Sequence, residues 1–174
     1  VGFNRNREWR WFPLVESYKQ DGKWCGNPAV MIINSDGKYK NGKWASFAIN
    51  DMDWYNLPEI RNLLTDTASN MKRDVYLVDA GSNCFTYFAD QTINLGACIA
   101  NLDSHPVEVS VIQKLTDIST GRIVSEKAWD INIPNNSVSS VDGEWKPDRL
   151  YKKGFTVNTD LIIDGKIVDN ISHD

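Results

Sequence analysis

The alternation of apolar and polar residues is clearest near the C-terminus, over residues 154–171. Two apolar runs meet there at Asp164-Gly165, a dipeptide that readily adopts the positive φ angles of a two-residue type I′ turn. One face of the first run carries Phe155, Val157, Leu161 and Ile163. Because alternate residues of a strand point to opposite faces, the pattern predicts a half-buried antiparallel hairpin.

The N-terminal third alternates in the same way. Strict alternation from residue 8 to 15 places Trp9, Trp11 and Pro13 on one face and Arg10, Phe12 and Leu14 on the other. Apolar runs at 29–33 and 44–49 follow, separated from it and from each other by glycine-containing turns. These runs predict three or four antiparallel strands.

The period changes at Asn56, where Asn56-Leu-Pro-Glu59 resembles a capping box. Apolar or small residues then recur at helical spacing, at Ile60, Leu63, Leu64, Thr67, Ala68 and Met71. The spacing predicts an amphipathic helix over 56–72 that packs on the preceding sheet, with a partner-docking helix as the alternative.

The second half contains further strand patterns and no helix signal. Residues 74–81 are predicted as a buried strand, 85–88 as a short strand and 135–147 as a polar, turn-rich connection. Alternating runs begin near Ile93, Val107 and Arg122. Short strands with turns about every ten residues are typical of an immunoglobulin-type β-sandwich, although the antibody Cys-Trp-Cys pattern is absent.

The predicted fold class is therefore mainly β. A C-terminal immunoglobulin-like antiparallel β-sandwich, residues 89–174, follows a small antiparallel sheet with one amphipathic helix, residues 1–88. The boundary is expected near Ala89.

Composition narrows the classes of function. The chain has 174 residues, 41% of them hydrophobic, and a net charge of −4 without a basic stripe. This argues against nucleic-acid binding. No apolar run approaches the roughly 20 residues of a membrane-spanning helix. The sequence begins at Val1 without an initiator methionine and is expected to be a piece of a longer protein.

Three cysteines, Cys25, Cys84 and Cys98, show no metal-binding or redox spacing. Free thiols are the first interpretation, and a Cys84–Cys98 disulfide is the alternative. The two histidines, His105 and His173, have no second ligand at a metal-binding spacing, so no metal or other cofactor is predicted.

No catalytic residue is predicted. Nucleophile-elbow and phosphate-loop motifs are absent from the sequence. Carboxylates near aromatic residues, which could in principle serve a glycosidase, are Glu16, Asp51, Asp53 and Glu59. Acidic residues in turns and caps are usually solvated, so this pairing is the weaker interpretation.

Five of the seven tryptophans fall in the first third of the chain. The candidate contact residues are Trp9, Trp11, Trp24, Trp44 and Arg10. Exposed indole rings can stack on sugar rings, and the same rings can fill a core or dock on another domain. Trp9 and Trp11 are the best pair for a platform because they share a face.

Several segments of the second half together resemble a known family. They are Ile93–Leu102, Val107–Val111, Trp145–Pro147 and the hairpin from Gly154 to Asp169. Over roughly residues 85–174 the chain is similar to the immunoglobulin-like sandwich modules of secreted bacterial glycoside hydrolases, especially multidomain enzymes of gut Bacteroidetes. The first half, around Trp9–Pro13, more weakly resembles β-rich segments near such modules.

The resemblance implies a non-catalytic accessory region of a larger carbohydrate-active protein that is secreted, periplasmic or on the cell surface. The implied partner is the catalytic domain of the same parent chain, with polysaccharide as a second partner. No active-site residue is implied. The leading hypothesis is a domain-docking region, and the alternative is a carbohydrate-binding module that uses a tryptophan platform.

Overall fold

The computed structural model describes residue 3 and the ranges 5–88, 90–149, 151 and 153–173. These residues form antiparallel sheets and a single α-helix, so the mainly β fold class is confirmed. The chain divides into two compact units, Glu8–Asp74 and a second made of Val1–Arg7 with Val75–Asp174.

The first unit is a three-stranded antiparallel sheet with one helix. Its elements are β1 (Trp9–Tyr18), β2 (Trp24–Asn34), β3 (Lys43–Phe47) and α1 (Pro58–Lys72), with short 3-10 turns at Gly37–Tyr39 and Trp54–Asn56. The strand order is β1-β2-β3. Pro13 lies in β1, at an edge of this sheet, where its missing N–H costs little.

The predicted capping box at the start of α1 is wrong. Asn56 ends a 3-10 turn, and the helix begins at Pro58 after an extended Leu57 that makes no side-chain cap bond. Proline disfavours helical geometry in the residue before it and suits the first helical position, so Pro58 sets the start. The predicted stripe is mostly correct, because Thr67 is buried and the other stripe residues except Ala68 are half-buried.

The second unit is a sandwich of two sheets. Its strands are β4 (Val75–Ser82), β5 (Ile93–Asn101), β6 (Val107–Asp117), β7 (Ile123–Ile133), β8 (Ser137–Trp145), β9 (Phe155–Ile163) and β10 (Lys166–His173). One sheet has the order β4-β5-β8 and the other β10-β9-β6-β7. Buried aliphatic residues from both sheets, such as Leu77, Ile99, Val111 and Leu161, form the core between them.

The C-terminal hairpin is confirmed as predicted. Asp164 and Gly165 have φ angles of 50° and 72°, and Ile163 pairs with Lys166 across the two-residue turn. The sandwich differs in one strand from the constant-type immunoglobulin domain, because β7 pairs with β6 rather than joining the other sheet.

Three details depart from the sequence analysis. The expected boundary residue Ala89 lies outside the described residues, but β4 pairs with β5, so the second unit takes in residues 75–82. Residues 135–147 contain β8, whose inward positions include Ser137, Ser139 and Gly143, which hide the alternation. Residues 85–88 form no strand.

Two buried polar side chains tie the sheets of the sandwich together. The Gln113 amide of β6 donates hydrogen bonds to the carbonyl oxygen of Gly96 in β5, at 3.2 Å, and to the Thr159 hydroxyl, at 2.7 Å. The Asp169 carboxylate of β10 accepts the backbone N–H of Leu77 in β4 at 2.9 Å. Since unmade hydrogen bonds are costly in a core, these contacts fix how the sheets meet.

The outer face of the β4-β5-β8 sheet receives the N-terminal segment. Phe3 is buried, its carbonyl oxygen accepts the Cys98 thiol, and Arg7 lies 3.3 Å from the buried Asp79 carboxylate. A Cβ on Gly96 would come within 2.8 Å of two atoms of the Phe3 ring and would also meet the Val141 carbonyl oxygen. Gly96 therefore provides the space that Phe3 occupies.

We predict that Gly96→Ala lowers the free energy of unfolding by about 1–3 kcal/mol, because the methyl group overpacks this contact. Gly143→Ala is the matched control, since a Cβ there would meet only the Trp129 ring at 3.5 Å. Denaturant unfolding of both variants measures the difference. Equal stability of the two would contradict the assigned contact.

The Asp117 side chain stabilises the turn between β6 and β7 through hydrogen bonds. Its carboxylate accepts the backbone N–H of Ser119 at 2.8 Å and the Thr120 hydroxyl at 2.9 Å, and Arg149 lies 3.8 Å away. Burial by itself raises the pKa of Asp117, but the hydrogen bonds and the arginine outweigh it and hold the pKa below its usual value.

A lowered folded-state pKa means that the ionised Asp117 stabilises the fold above the unfolded pKa of about 3.9 and loses that effect as pH falls through the folded pKa. We therefore expect Asp117→Asn to be destabilising at pH 7, by an amount that shrinks towards about pH 3. Denaturant unfolding at both pH values tests this, with the exposed Asp142→Asn as control. A destabilisation independent of pH would show that the charge is not involved.

Candidate functional site

The exposed face of the three-stranded sheet gathers most of the predicted tryptophans. Trp11 of β1 pairs with Ile32 of β2, and Ile32 pairs in turn with Trp44 of β3. Trp9 pairs with Asn34 one step further along. Residues in register on neighbouring strands point to the same side, so these side chains form one surface.

This surface, with Tyr39 and Gly42, is called the aromatic face below; its residues are Trp9, Trp11, Ile32, Asn34, Tyr39, Gly42 and Trp44. The three tryptophans are 45–48% exposed and Tyr39 is 67% exposed. Together the residues line a shallow groove of about 500 Å³. Contiguous exposed apolar surface of this kind marks interaction sites more often than chance exposure does.

Tyr39 reaches the aromatic face because the β2–β3 connection folds back on Asn34. The Asn34 side chain donates to the Gly42 carbonyl oxygen at 2.9 Å, and its backbone N–H donates to the same oxygen at 2.9 Å. The Gly42 N–H donates to the Tyr39 carbonyl oxygen at 2.8 Å. The Asp36 carboxylate caps the 3-10 turn by accepting the Gly37 N–H.

The opposite face of the sheet is buried along the central strand β2 and half-buried along β1 and β3. Ala29, Met31 and Ile33 of β2 are at most 2% exposed, whereas Ile32 and Asn34 between them are half-buried. Alternation along β2 thus assigns one face to a core and the other to the tryptophans. Trp9, Trp11 and Trp44 do not belong to the core of this unit.

The groove is poor in groups that accept hydrogen bonds. Among the described residues no carboxylate lines it, and the three indole groups can only donate. Its remaining polar side-chain groups are the Asn34 amide and the Tyr39 hydroxyl, and the Lys38 ammonium lies 5.6 Å from the centre of the Tyr39 ring. This composition suits packing and hydrogen-bond donation.

Two predicted contact residues lie elsewhere. Trp24 is exposed but pairs with Tyr18 at the far end of the β1–β2 ladder. Arg10 points to the opposite face of β1 from Trp9 and Trp11, with its guanidinium 4.1 Å from the centre of the Phe12 ring. Ile32 and Tyr39 were missed by the sequence analysis, since only the strand register and the folded connection bring them to the face.

The candidate catalytic carboxylates are all exposed side chains. Glu16 accepts a hydrogen bond from the Tyr18 hydroxyl, and this bond raises the pKa of Tyr18. Asp51 accepts the backbone N–H of Asp53 at 3.0 Å, as in a turn. Each of these contacts is local, and none involves the aromatic face.

Several other titratable side chains also lie outside the aromatic face. His105 lies 3.3 Å from the Asp103 carboxylate and lowers the pKa of Asp103 through a hydrogen bond. Cys25, Cys84 and Cys98 are free, as the first interpretation predicts, and burial raises the pKa of the Cys98 thiol. In the described part of the chain no three His, Cys, Asp or Glu side chains are grouped to hold a metal ion.

A second concavity of about 320 Å³ lies in the sandwich, above the core residues Ile93, Leu95, Leu115 and Val157. Aromatic residues from two loops and from β9 form its walls, including Tyr87, Tyr151 and Phe155. Its lining residues are distant in the sequence, so local sequence patterns do not predict this concavity.

Among the described residues, no helix has the length and apolar composition of a membrane-spanning segment.

No protein-family model matches the chain, and no curated protein matches it. Among solved structures, a glycosyl hydrolase family 2 member from Bacteroides cellulosilyticus is 15% identical with a TM-score of 0.47, covering 57% of this chain and 15% of that one. A Bacteroides fragilis protein described as a β-galactosidase is 14% identical with a TM-score of 0.45, covering 60% of this chain and 16% of that one.

A third match is an alkylpurine DNA glycosylase from Pseudomonas fluorescens, solved with DNA containing an abasic site analog. It is 13% identical with a TM-score of 0.41, and the match covers 65% of this chain and 34% of that one. The chain thus spans about a sixth of the two Bacteroides proteins and a third of the DNA glycosylase.

The tryptophans lie on a surface and Met31 lies in a core, so alanine substitutions at the two kinds of position should lower the free energy of unfolding by different amounts. Trp11→Ala is expected to lower the free energy of unfolding by about 1 kcal/mol or less. Met31→Ala should cost about 2–5 kcal/mol, because it leaves a cavity. Denaturant unfolding followed by circular dichroism measures the free energy of unfolding of both variants. A loss for Trp11→Ala as large as that for Met31→Ala would place this tryptophan in the core.

Proposed function

We propose that this chain is a non-catalytic accessory region of a larger, exported carbohydrate-active protein, and that it acts by docking. In this proposal the aromatic face packs against the catalytic domain of the same parent chain and fixes the orientation of that domain. The observation that carries the proposal is the exposure of Trp9, Trp11 and Trp44 side by side on one face of a sheet whose other face is buried along its central strand.

The chemistry of the face supports docking. Tryptophan and tyrosine are enriched at the energetic centres of protein interfaces, because their rings bury a large area at a small entropic cost. Adjacent rings held in register by hydrogen-bonded strands need little rearrangement on binding, which lowers the cost of association. The described residues that line the groove include no carboxylate that would have to be desolvated.

A carbohydrate-binding module is the second candidate, and the shared face of Trp9 and Trp11 is the observation that favours it. Indole rings stack well on the apolar faces of sugars. Sugar hydroxyls also need hydrogen-bond acceptors, however, and the groove offers few. The lining of the groove therefore favours docking on another protein domain over carbohydrate binding.

The test uses the intact parent protein with Trp9, Trp11 and Trp44 changed together to Ala. We expect the variant to be cleaved faster between its domains in limited proteolysis, and to have a larger radius of gyration in small-angle scattering, because the domain contact is lost. Trp24→Ala is the matched control, since Trp24 is exposed on the same sheet but outside the aromatic face.

Unchanged proteolysis and scattering in the triple variant would refute docking through this face. A glycan array probed with the isolated chain tests the second candidate function, carbohydrate binding. Saturable glycan binding that the triple variant loses and Trp24→Ala keeps would make the aromatic face a sugar platform, and docking predicts no such binding.

A further inference from the structure

We infer that the concavity of about 320 Å³ in the second unit binds a small aromatic carboxylate. This concavity is called the sandwich pocket below. The inference goes beyond the proposed function, because the aromatic face lies in the first unit and the sandwich pocket in the second. Three features support it: the position of the pocket between the sheets, its aromatic walls and the charge of its lining.

The sandwich pocket lies at one end of the sandwich, where both sheets contribute strand ends. β4 ends at Ser82 and β5 begins at Ile93 in one sheet, and β9 begins at Phe155 in the other. The floor is a cluster of core residues that are at most 8% exposed, Ile93, Leu95, Leu115 and Val157. Phe85 also lines the pocket, and its 74% exposure places it at the mouth. The two sheets therefore leave an apolar opening at this end.

The size of the sandwich pocket favours a compact ligand. Ligand sites in proteins range from about 300 to 1,000 Å³, and this pocket is at the small end of that range. It therefore suits a small molecule better than an oligosaccharide.

The walls of the sandwich pocket are aromatic and come from Phe85, Tyr87, Tyr151 and Phe155. The centre of the Phe155 ring lies 4.5 Å from that of Tyr151 and 4.9 Å from that of Trp145, in tilted and edge-to-face arrangements. Aromatic rings attract one another in offset and edge-to-face geometries. A flat aromatic ligand would extend this cluster of rings.

The tyrosine hydroxyl groups of the walls are already hydrogen-bonded within the protein. The Tyr87 hydroxyl donates to the Asn83 side chain at 2.6 Å and accepts the Cys84 backbone N–H at 3.0 Å. The Tyr151 hydroxyl donates to the Asp148 carboxylate at 2.6 Å. These bonds hold the rings in place and leave few polar groups for a ligand with many hydroxyls. A sugar would lose hydrogen bonds to water here without replacing them.

The lining contains one permanently charged cation, Lys153, which is exposed. Its side chain makes no hydrogen bond or ion pair with the described part of the chain. Among the described residues no carboxylate lines the pocket. Arg149 lines an adjoining cleft but lies 3.8 Å from the Asp117 carboxylate. A carboxylate attached to an aromatic ring would therefore meet the Lys153 ammonium at the mouth, in a charge-assisted contact.

The experiment titrates the full chain with naphthoate and with its neutral analogue naphthamide, and follows alkylation of the cysteines by iodoacetamide with mass spectrometry. Cys84 is exposed and lines the pocket, whereas Cys25 is exposed in the other unit and is the internal control. We expect saturating naphthoate to slow alkylation of Cys84 and leave that of Cys25 unchanged. Naphthamide should bind roughly tenfold more weakly or worse, because it lacks the charge that meets Lys153.

Lys153→Gln removes the charge from an exposed side chain and should fold normally. It should weaken naphthoate binding to the level of naphthamide and leave naphthamide binding unchanged. Lys166→Gln is the matched control, since Lys166 is an exposed lysine of the same unit that follows the Asp164-Gly165 turn, outside the pocket lining. Phe85→Ala removes an exposed wall and should weaken the binding of both compounds.

Several results would overturn the inference. Unchanged alkylation of Cys84 up to the solubility limit of naphthoate would show that the pocket does not bind it, and equal slowing at Cys25 would show that binding is unspecific. Equal affinities for naphthoate and naphthamide would exclude Lys153 from recognition. Stronger protection of Cys84 by octanoate or by cellobiose would assign the pocket to an aliphatic chain or to a sugar.

Discussion

The pairing of β1, β2 and β3 is the constraint on which the functional account depends. Its register places Trp11, Ile32 and Trp44 in one row on one face of the sheet. Alternation along β2 places Ala29, Met31 and Ile33 on the other face. A shift of one residue would exchange the two faces and expose the aliphatic side chains instead. The aromatic face is therefore a consequence of burying the aliphatic face.

The sandwich depends on a different kind of contact. Aliphatic burial fills the space between its sheets, but Gln113 and Asp169 supply hydrogen bonds that only one arrangement of the sheets can make. Such buried polar contacts favour a unique arrangement, because any other leaves their partners unsatisfied. The N-terminal segment adds a further tie through Phe3, which fits only where Gly96 has no side chain.

Much of this could be predicted from local pattern, and the failures have physical causes. The Asp164-Gly165 hairpin and the shared face of Trp9 and Trp11 follow from turn chemistry and the two-residue period. β8 was not predicted, because polar and small residues occupy most of its inward positions. β4 is buried throughout, so its sequence pattern does not indicate which sheet it joins. The capping box failed because Pro58 outweighed Asn56 in setting the helix start.

The candidate site could likewise be predicted from the sequence only in part. Trp9, Trp11 and Trp44 could be named from the sequence, but their separation from Trp24 and Arg10 is a matter of register and position along the strands. Tyr39 depends on the hydrogen bonds that fold its loop back on Asn34. Sequence periodicity contains no information about such long-range placement.

The central claim is that the aromatic face is open in this chain alone and covered in the protein to which it belongs. Hydroxyl-radical footprinting with mass spectrometry measures this directly, by comparing oxidation of each tryptophan in the isolated chain and in the intact parent. The account predicts strong protection of Trp9, Trp11 and Trp44 in the parent and unchanged oxidation of Trp24. Equal oxidation of all four in both samples would contradict it.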